Sequence, residues 1–84
     1  MNKCYYNGNI VEQRNIVSVY NGSFLYGINC FEGIRGYWDA SSKQISLLDL
    51  NEHIDRLFSS AKRLRFDSPV TKDEIILQLR ELII

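Results

Sequence analysis

The side chains able to do chemistry are few in this 84-residue chain. Three arginines, Arg56, Arg63 and Arg65, stand close together near a single histidine, His53, in the run Glu52-His53-Ile54-Asp55-Arg56. Arginine is the usual choice where a phosphate must be gripped by two parallel N–H donors, and Arg56, one turn beyond His53, is the candidate for that role. Taken alone, an arginine on an amphipathic helix is more often a solvated or salt-bridged surface group. A glycine-rich phosphate loop is absent. Cys4, Cys30 and His53 lack the clustered spacing of a metal site, and His53 has no partner in the sequence that would make a nucleophile–base pair. The two cysteines, with no spacing pattern and no export signal, read as free thiols.

A second chemistry-bearing stretch is FLYGINCFEGIRGYW, residues 24–38, which holds five aromatics, three glycines and the pair Glu32 and Arg35. From Cys30 to Trp38 it alternates as a strand would, with Phe31, Gly33, Arg35 and Tyr37 on one face and Glu32, Ile34, Gly36 and Trp38 on the other. Glycines on both faces make it an unusual core strand.

Ten basic and ten acidic residues leave no net charge, so no electrostatic footprint for nucleic acid or an anionic membrane stands out. The apolar runs are too short to span a bilayer, and MNKCYYNGN lacks the apolar region of a signal peptide. A soluble cytoplasmic protein is the expectation. The length fits one small domain whose core only just offsets the entropy of ordering it.

The elements that must carry these residues follow from pattern. Residues 4–11, CYYNGNIV, are β-formers broken by Asn7-Gly8 and predict a tight hairpin. Ile16, Val17 and Val19 form a second β-prone piece, Asn21-Gly22-Ser23 supplies turn chemistry, and Gln44–Leu48 is a return strand for the Cys30–Trp38 segment. Then the period changes. Leu50, Ile54, Leu57, Ala61 and Leu64 predict a helix from Leu50 to Leu64, opened by a weak capping box from Asp49 to Glu52 and broken at Phe66-Asp67-Ser68-Pro69. Thr71-Lys72-Asp73-Glu74 is a full capping box for a second helix with Ile75, Ile76, Leu79, Leu82 and Ile83 on its apolar side. That helix runs into Leu82-Ile83-Ile84 without a cap or polar tail, which reads as a chain interrupted rather than finished. The predicted fold is α+β: an antiparallel sheet, hairpin plus central strands, packed against two helices.

Three motifs in this order and spacing resemble a known family. Phe24-Leu25-Tyr26-Gly27, then Cys30-Phe31-Glu32-Gly33-Ile34-Arg35-Gly36-Tyr37, then Leu47 through Glu52-His53-Ile54-Asp55-Arg56-Leu57-Phe58-Ser59-Ser60-Ala61-Lys62 look like the N-terminal region of class IV aminotransferases. These are the pyridoxal-phosphate enzymes of fold type IV, and the FEGIR-Tyr pattern is most similar to branched-chain amino acid aminotransferases. The resemblance implies that residues 1–84 form the small N-terminal domain of such an enzyme. It implies that Arg56 meets the 5′-phosphate of pyridoxal phosphate, and that Tyr26, Phe31, Gly33 and Arg35 line the substrate pocket. Arg35 would either bind a substrate carboxylate or brace the pocket against Glu32. It further implies amino acid and 2-oxo acid substrates, with leucine, isoleucine or valine donating to 2-oxoglutarate, and a homo-oligomer of dimer size or larger.

The sequence departs from the family at Ile28-Asn29, where an Asp-Gly pair is common, and at Asn21-Gly22-Ser23, which replaces an Asp-Arg-Gly-like turn. The family's catalytic lysine belongs to a C-terminal domain, and Lys3, Lys43, Lys62 and Lys72 match none of its context. The 84 residues by themselves are therefore expected not to transaminate. A D-amino acid aminotransferase or an aminodeoxychorismate lyase of the same fold, or a stand-alone interaction domain without catalysis, are the alternatives.

Overall fold

The computed structural model describes residues 3–12 and 16–83. Its elements are β1 (Lys3–Tyr6), β2 (Asn9–Glu12), α1 (Gly22–Tyr26), β3 (Gly36–Asp39), β4 (Gln44–Leu47), α2 (Leu50–Arg63) and α3 (Lys72–Ile83). The fold is α+β, as the pattern predicts. In place of one continuous sheet there are two separate antiparallel pairs, β1 with β2 and β3 with β4. The chain divides into two compact units, residues 1–28 with 73–84 and residues 29–72.

In the first unit the β1–β2 hairpin turns at Asn7 and Gly8, with φ of 48° and 86°. Positive φ at both central residues is what a two-residue hairpin turn of matching twist requires, and Asn-Gly supplies it at little steric cost. The register pairs Cys4 with Val11 and Tyr5 with Ile10. No strand forms at Ile16–Val19. The turn expected at Asn21-Gly22-Ser23 is instead the start of α1. Asn21 Oδ1 accepts the Ser23 N–H at 2.8 Å as a helix cap, and Gly27, at φ 66°, closes the single turn by donating to the Ser23 carbonyl. α3 opens one residue after Thr71, where the capping box puts it, and Ile84 lies outside the described residues.

In the second unit the expected strand from Cys30 is shorter. Regular pairing begins only at Gly36, which faces Leu47, while Tyr37, Trp38 and Asp39 face Ser46, Ile45 and Gln44. Gly36 answers one puzzle of the glycine-rich stretch. A Cβ there would fall 2.8 Å from Ile45 Cγ2 and 3.4 Å from Leu47 Cδ2, so the close approach of β4 requires glycine. The connecting turn is organised by Asp39, whose Oδ1 accepts from the Ser41 N–H and hydroxyl and whose Oδ2 accepts from the Ser42 hydroxyl. The Ser41 side chain, then that of Ser42, holds the Asp39 carboxyl below its ordinary value.

α2 ends one residue earlier than predicted, and both of its ends are made differently from the expectation. Asp49 adopts φ 51° and its side chain makes no capping bond, because a left-handed cap residue does not aim its carboxylate at the first-turn amides. Pro69 is not the terminator. The Phe66 N–H donates to the Ala61 carbonyl and the Arg65 N–H to that of Lys62, a Schellman closure in which Arg65 takes the left-handed position at φ 60° usually given to glycine. Arg65 therefore stands beyond the helix that carries Arg56. Ile54 is buried to 1% exposure on the α2 face that also carries the half-buried Leu50, Leu57, Phe58 and Ala61. Asp55, on another side of α2, meets Lys72 Nζ at 2.8 Å.

Candidate functional site

Glu32 lies in the irregular segment between Cys30 and Arg35, where exposure still alternates. Phe31, Gly33 and Arg35 are exposed, and Glu32 and Ile34 are turned inward to partial burial. The period-two pattern of the sequence thus survives in the exposure of these residues without a paired strand. Turned inward, Glu32 reaches the α2 residues His53 and Arg56, which share a helix face at a spacing of three.

The contacts are short and convergent. The Arg56 Nε–H donates to Glu32 Oε2 at 2.9 Å and Nη2 donates to Oε1 at 2.7 Å, a two-pronged pairing. His53 Nδ1 stands 2.7 Å from the same Oε1. The side chain of Glu32 is only 9% exposed, against 21% for His53 and 66% for Arg56. Hydrogen bonds from Arg56, then from His53, lower the Glu32 pKa to about 2, so the carboxyl is ionised and can only accept. His53 Nδ1 must then carry the hydrogen. Its 3.4 Å approach to Arg56 Nη2 is the spacing of two donors converging on one oxygen rather than a bond between them. Glu32 in return raises the Arg56 pKa, first through hydrogen bonding and then through its charge.

The pH consequence has a definite sign. A carboxyl whose folded pKa lies below its unfolded value stabilises the fold fully above about 4.5, and that contribution drains away as the pH falls toward about 2. We expect the Glu32 carboxyl carbon, followed by NMR, to titrate with a midpoint near 2; a midpoint near 4.5 would mean that the cluster does not form.

Arg56 and His53 line an open cavity of about 240 Å³ together with Asp49 and Glu52. Glu32 uses two of the five guanidinium N–H donors, and Arg56 makes no other hydrogen bond to an acceptor among the described residues. The remaining guanidinium donors are of the kind that can bind an anionic oxygen. Glu32 cancels the charge of Arg56 locally, and Asp49 and Glu52 add carboxylates to the cavity wall, so a phosphate dianion would need further donors from outside this unit.

The other residues singled out by sequence are distributed differently. Phe31, 84% exposed, and the exposed Gly33 and Arg35 belong to the Glu32 segment but do not line this cavity. A Cβ at Gly33 would meet nothing within 4 Å. Tyr26 ends α1 in the other unit and is 75% exposed. Of the two roles open to Arg35, bracing against Glu32 is not seen, since that carboxylate is taken by Arg56 and His53. The partnership of Glu32 with His53 was missed in the sequence, where the only available signal was the shared helix face of His53 and Arg56. Cys4 and Cys30 are free thiols, no group of metal-ligating side chains exists among the described residues, and no described helix is long and apolar enough to cross a membrane. A separate cavity of about 510 Å³ lies between β1 and α3 in the first unit.

Comparison with known proteins adds relatives. The chain is 45% identical over 75 residues to a putative branched-chain-amino-acid aminotransferase of Methanocaldococcus jannaschii, covering 88% of this chain and 24% of that protein. It is 31% identical over 84 residues to a probable branched-chain-amino-acid aminotransferase of Aquifex aeolicus, covering 99% of this chain and 27% of the relative. An aminodeoxychorismate lyase of Bacillus subtilis is 36% identical over 80 residues, which is 94% of this chain and 25% of the lyase. The chain thus spans about a quarter of the length of these relatives. No family model and no solved structure matches it.

Proposed function

From the homology of this chain to branched-chain-amino-acid aminotransferases, we infer that residues 1–84 are the small N-terminal domain of a pyridoxal-phosphate-dependent aminotransferase of fold type IV. The whole protein transfers the amino group of leucine, isoleucine or valine to 2-oxoglutarate, and the catalytic lysine belongs to the part beyond this domain. The observation that carries the reading to a residue is the fixing of Arg56 by Glu32 at the rim of a cavity, with guanidinium donors left over. Arg56 would hold the cofactor's 5′-phosphate. When bound, the cofactor supplies the electron sink for moving an amino group between carbon skeletons.

Phe31 and Tyr26 would offer ring faces to a branched aliphatic side chain, and Gly33, with open space where a Cβ would stand, would let the ligand approach the backbone. Arg35, unpaired with Glu32, keeps its guanidinium for a substrate carboxylate. Large apolar side chains such as Tyr20, Phe24 and Trp38 are more than 60% exposed, which supports a domain that buries them against further protein, in a homo-oligomer of dimer size or larger.

The test is direct. The full-length protein should purify yellow and pass the amino group of leucine, isoleucine or valine to 2-oxoglutarate; a colourless protein with no transfer from any of the three would sink the proposal. The relative from Bacillus subtilis favours a second reading, an aminodeoxychorismate lyase, which the same preparation would reveal by consuming aminodeoxychorismate.

A further inference from the structure

We propose that Glu32 is the positioning residue of the phosphate site, clamping the Arg56 guanidinium and the His53 ring so that the leftover Arg56 donors are held ready for a phosphate monoester. The inference rests on the phosphate reading of Arg56 and goes beyond it. Three observations carry it. Arg56 and His53 line the cavity, whereas Glu32 does not, so the carboxylate touches the two lining side chains without being part of the wall. Glu32 is far less exposed than Arg56, which leaves the carboxylate as the fixed end of the pair and the arginine as the end that needs fixing. Finally, Glu32 alone accepts hydrogen bonds from Arg56 among the described residues, and both of its oxygens are used in doing so.

The physical reason for such a clamp is entropic. A long, exposed arginine samples many rotamers and must give them up on binding. A two-pronged carboxylate that has already selected one rotamer removes much of that cost, just as supporting carboxylates behind metal-ligating histidines do for metals. Charge acts in the opposite direction. A carboxylate within hydrogen-bond reach of Arg56 weakens the pull on an anion, so if Glu32 were only a neutralising neighbour its removal would tighten phosphate binding. The sign of the effect therefore separates positioning from neutralisation.

The experiment uses the full-length apoprotein and two probes, pyridoxal phosphate and pyridoxal, whose affinity ratio isolates the phosphate. Glu32→Gln removes the charge at nearly constant shape. We expect it to lower the affinity for pyridoxal phosphate by roughly tenfold, the lower end of what loss of a supporting carboxylate costs at metal sites, while pyridoxal affinity stays within about twofold. In an Arg56→Ala background the same substitution should leave the ratio unchanged. Tighter or unaltered binding of pyridoxal phosphate, equal losses for both probes, or an undiminished Glu32→Gln effect in the Arg56→Ala background each overturns the clamp. An Arg56→Ala protein that keeps the full phosphate increment instead refutes the phosphate reading itself, and the clamp falls with it. If Glu32→Gln fails to fold, Arg56→Lys, which keeps the charge but cannot form the two-pronged pair, must lose most of the increment, and full retention overturns the proposal.

Discussion

Replacing Arg56 by alanine in the full-length protein is expected to weaken retention of pyridoxal phosphate by roughly 1.5–3 kcal/mol, about 10- to 150-fold, the range typical of a charged hydrogen bond. The guanidinium would supply the donors, and it is already ordered by Glu32 at 2.7 and 2.9 Å. Part of the loss should appear in the fold, because the substitution leaves a carboxylate that is only 9% exposed with His53 as its remaining side-chain donor among the described residues. Dissociation constants for pyridoxal phosphate and for pyridoxal separate the two effects. A general weakening of the fold reduces both, whereas loss of a phosphate contact reduces only the first. Retention of pyridoxal phosphate unchanged within twofold would remove Arg56 from the site.

Truncating Ile54 to alanine should cost about 2–5 kcal/mol of stability, the range for large-to-small changes in a packed interior. Ile54, at 1% exposure, is the one large side chain fully buried among the described residues, and it sits two positions before Arg56 on α2. A cavity there would loosen the helix that carries the phosphate-binding candidate. Urea unfolding of the full-length protein measures the effect, with Lys62→Ala, at an exposed polar position of α2, as a control expected to stay within about 0.5 kcal/mol. An Ile54→Ala protein with an unaltered midpoint would show that the α2 face does not anchor the unit.

Where the sequence was legible, a local rule was sufficient. Asn7-Gly8 needs no tertiary help to make a hairpin turn, and Leu50, Ile54, Leu57 and Ala61 recur at a spacing only a helix satisfies. The capping box at Thr71 placed the start of α3 for the same reason. Where it misled, competing local options were close in energy. Asn21 can begin a turn or cap a helix, and it caps α1. Arg65 carries no sign that it will accept a left-handed conformation, yet its doing so ends α2 well before Pro69. Gly36 looked out of place until β4 was seen to pass close enough that a methyl group would collide with Ile45.

The candidate site divides in the same way. Sequence by itself determined that Arg56 and His53 share one face of a helix, and that Phe31, Gly33 and Arg35 alternate with Glu32 and Ile34, because both follow from the fixed periods of helix and extended chain. Which of the two nearby cations Glu32 would pair with was beyond it. Arg35 is three residues from Glu32 and Arg56 is twenty-four, so proximity along the chain favoured the wrong partner. Only the tertiary structure, by turning Glu32 inward against α2 and leaving Arg35 exposed, decided that the carboxylate serves Arg56 and His53. The reason is that a charge drawn largely out of water must find its donors where the fold brings them, not where the sequence lists them.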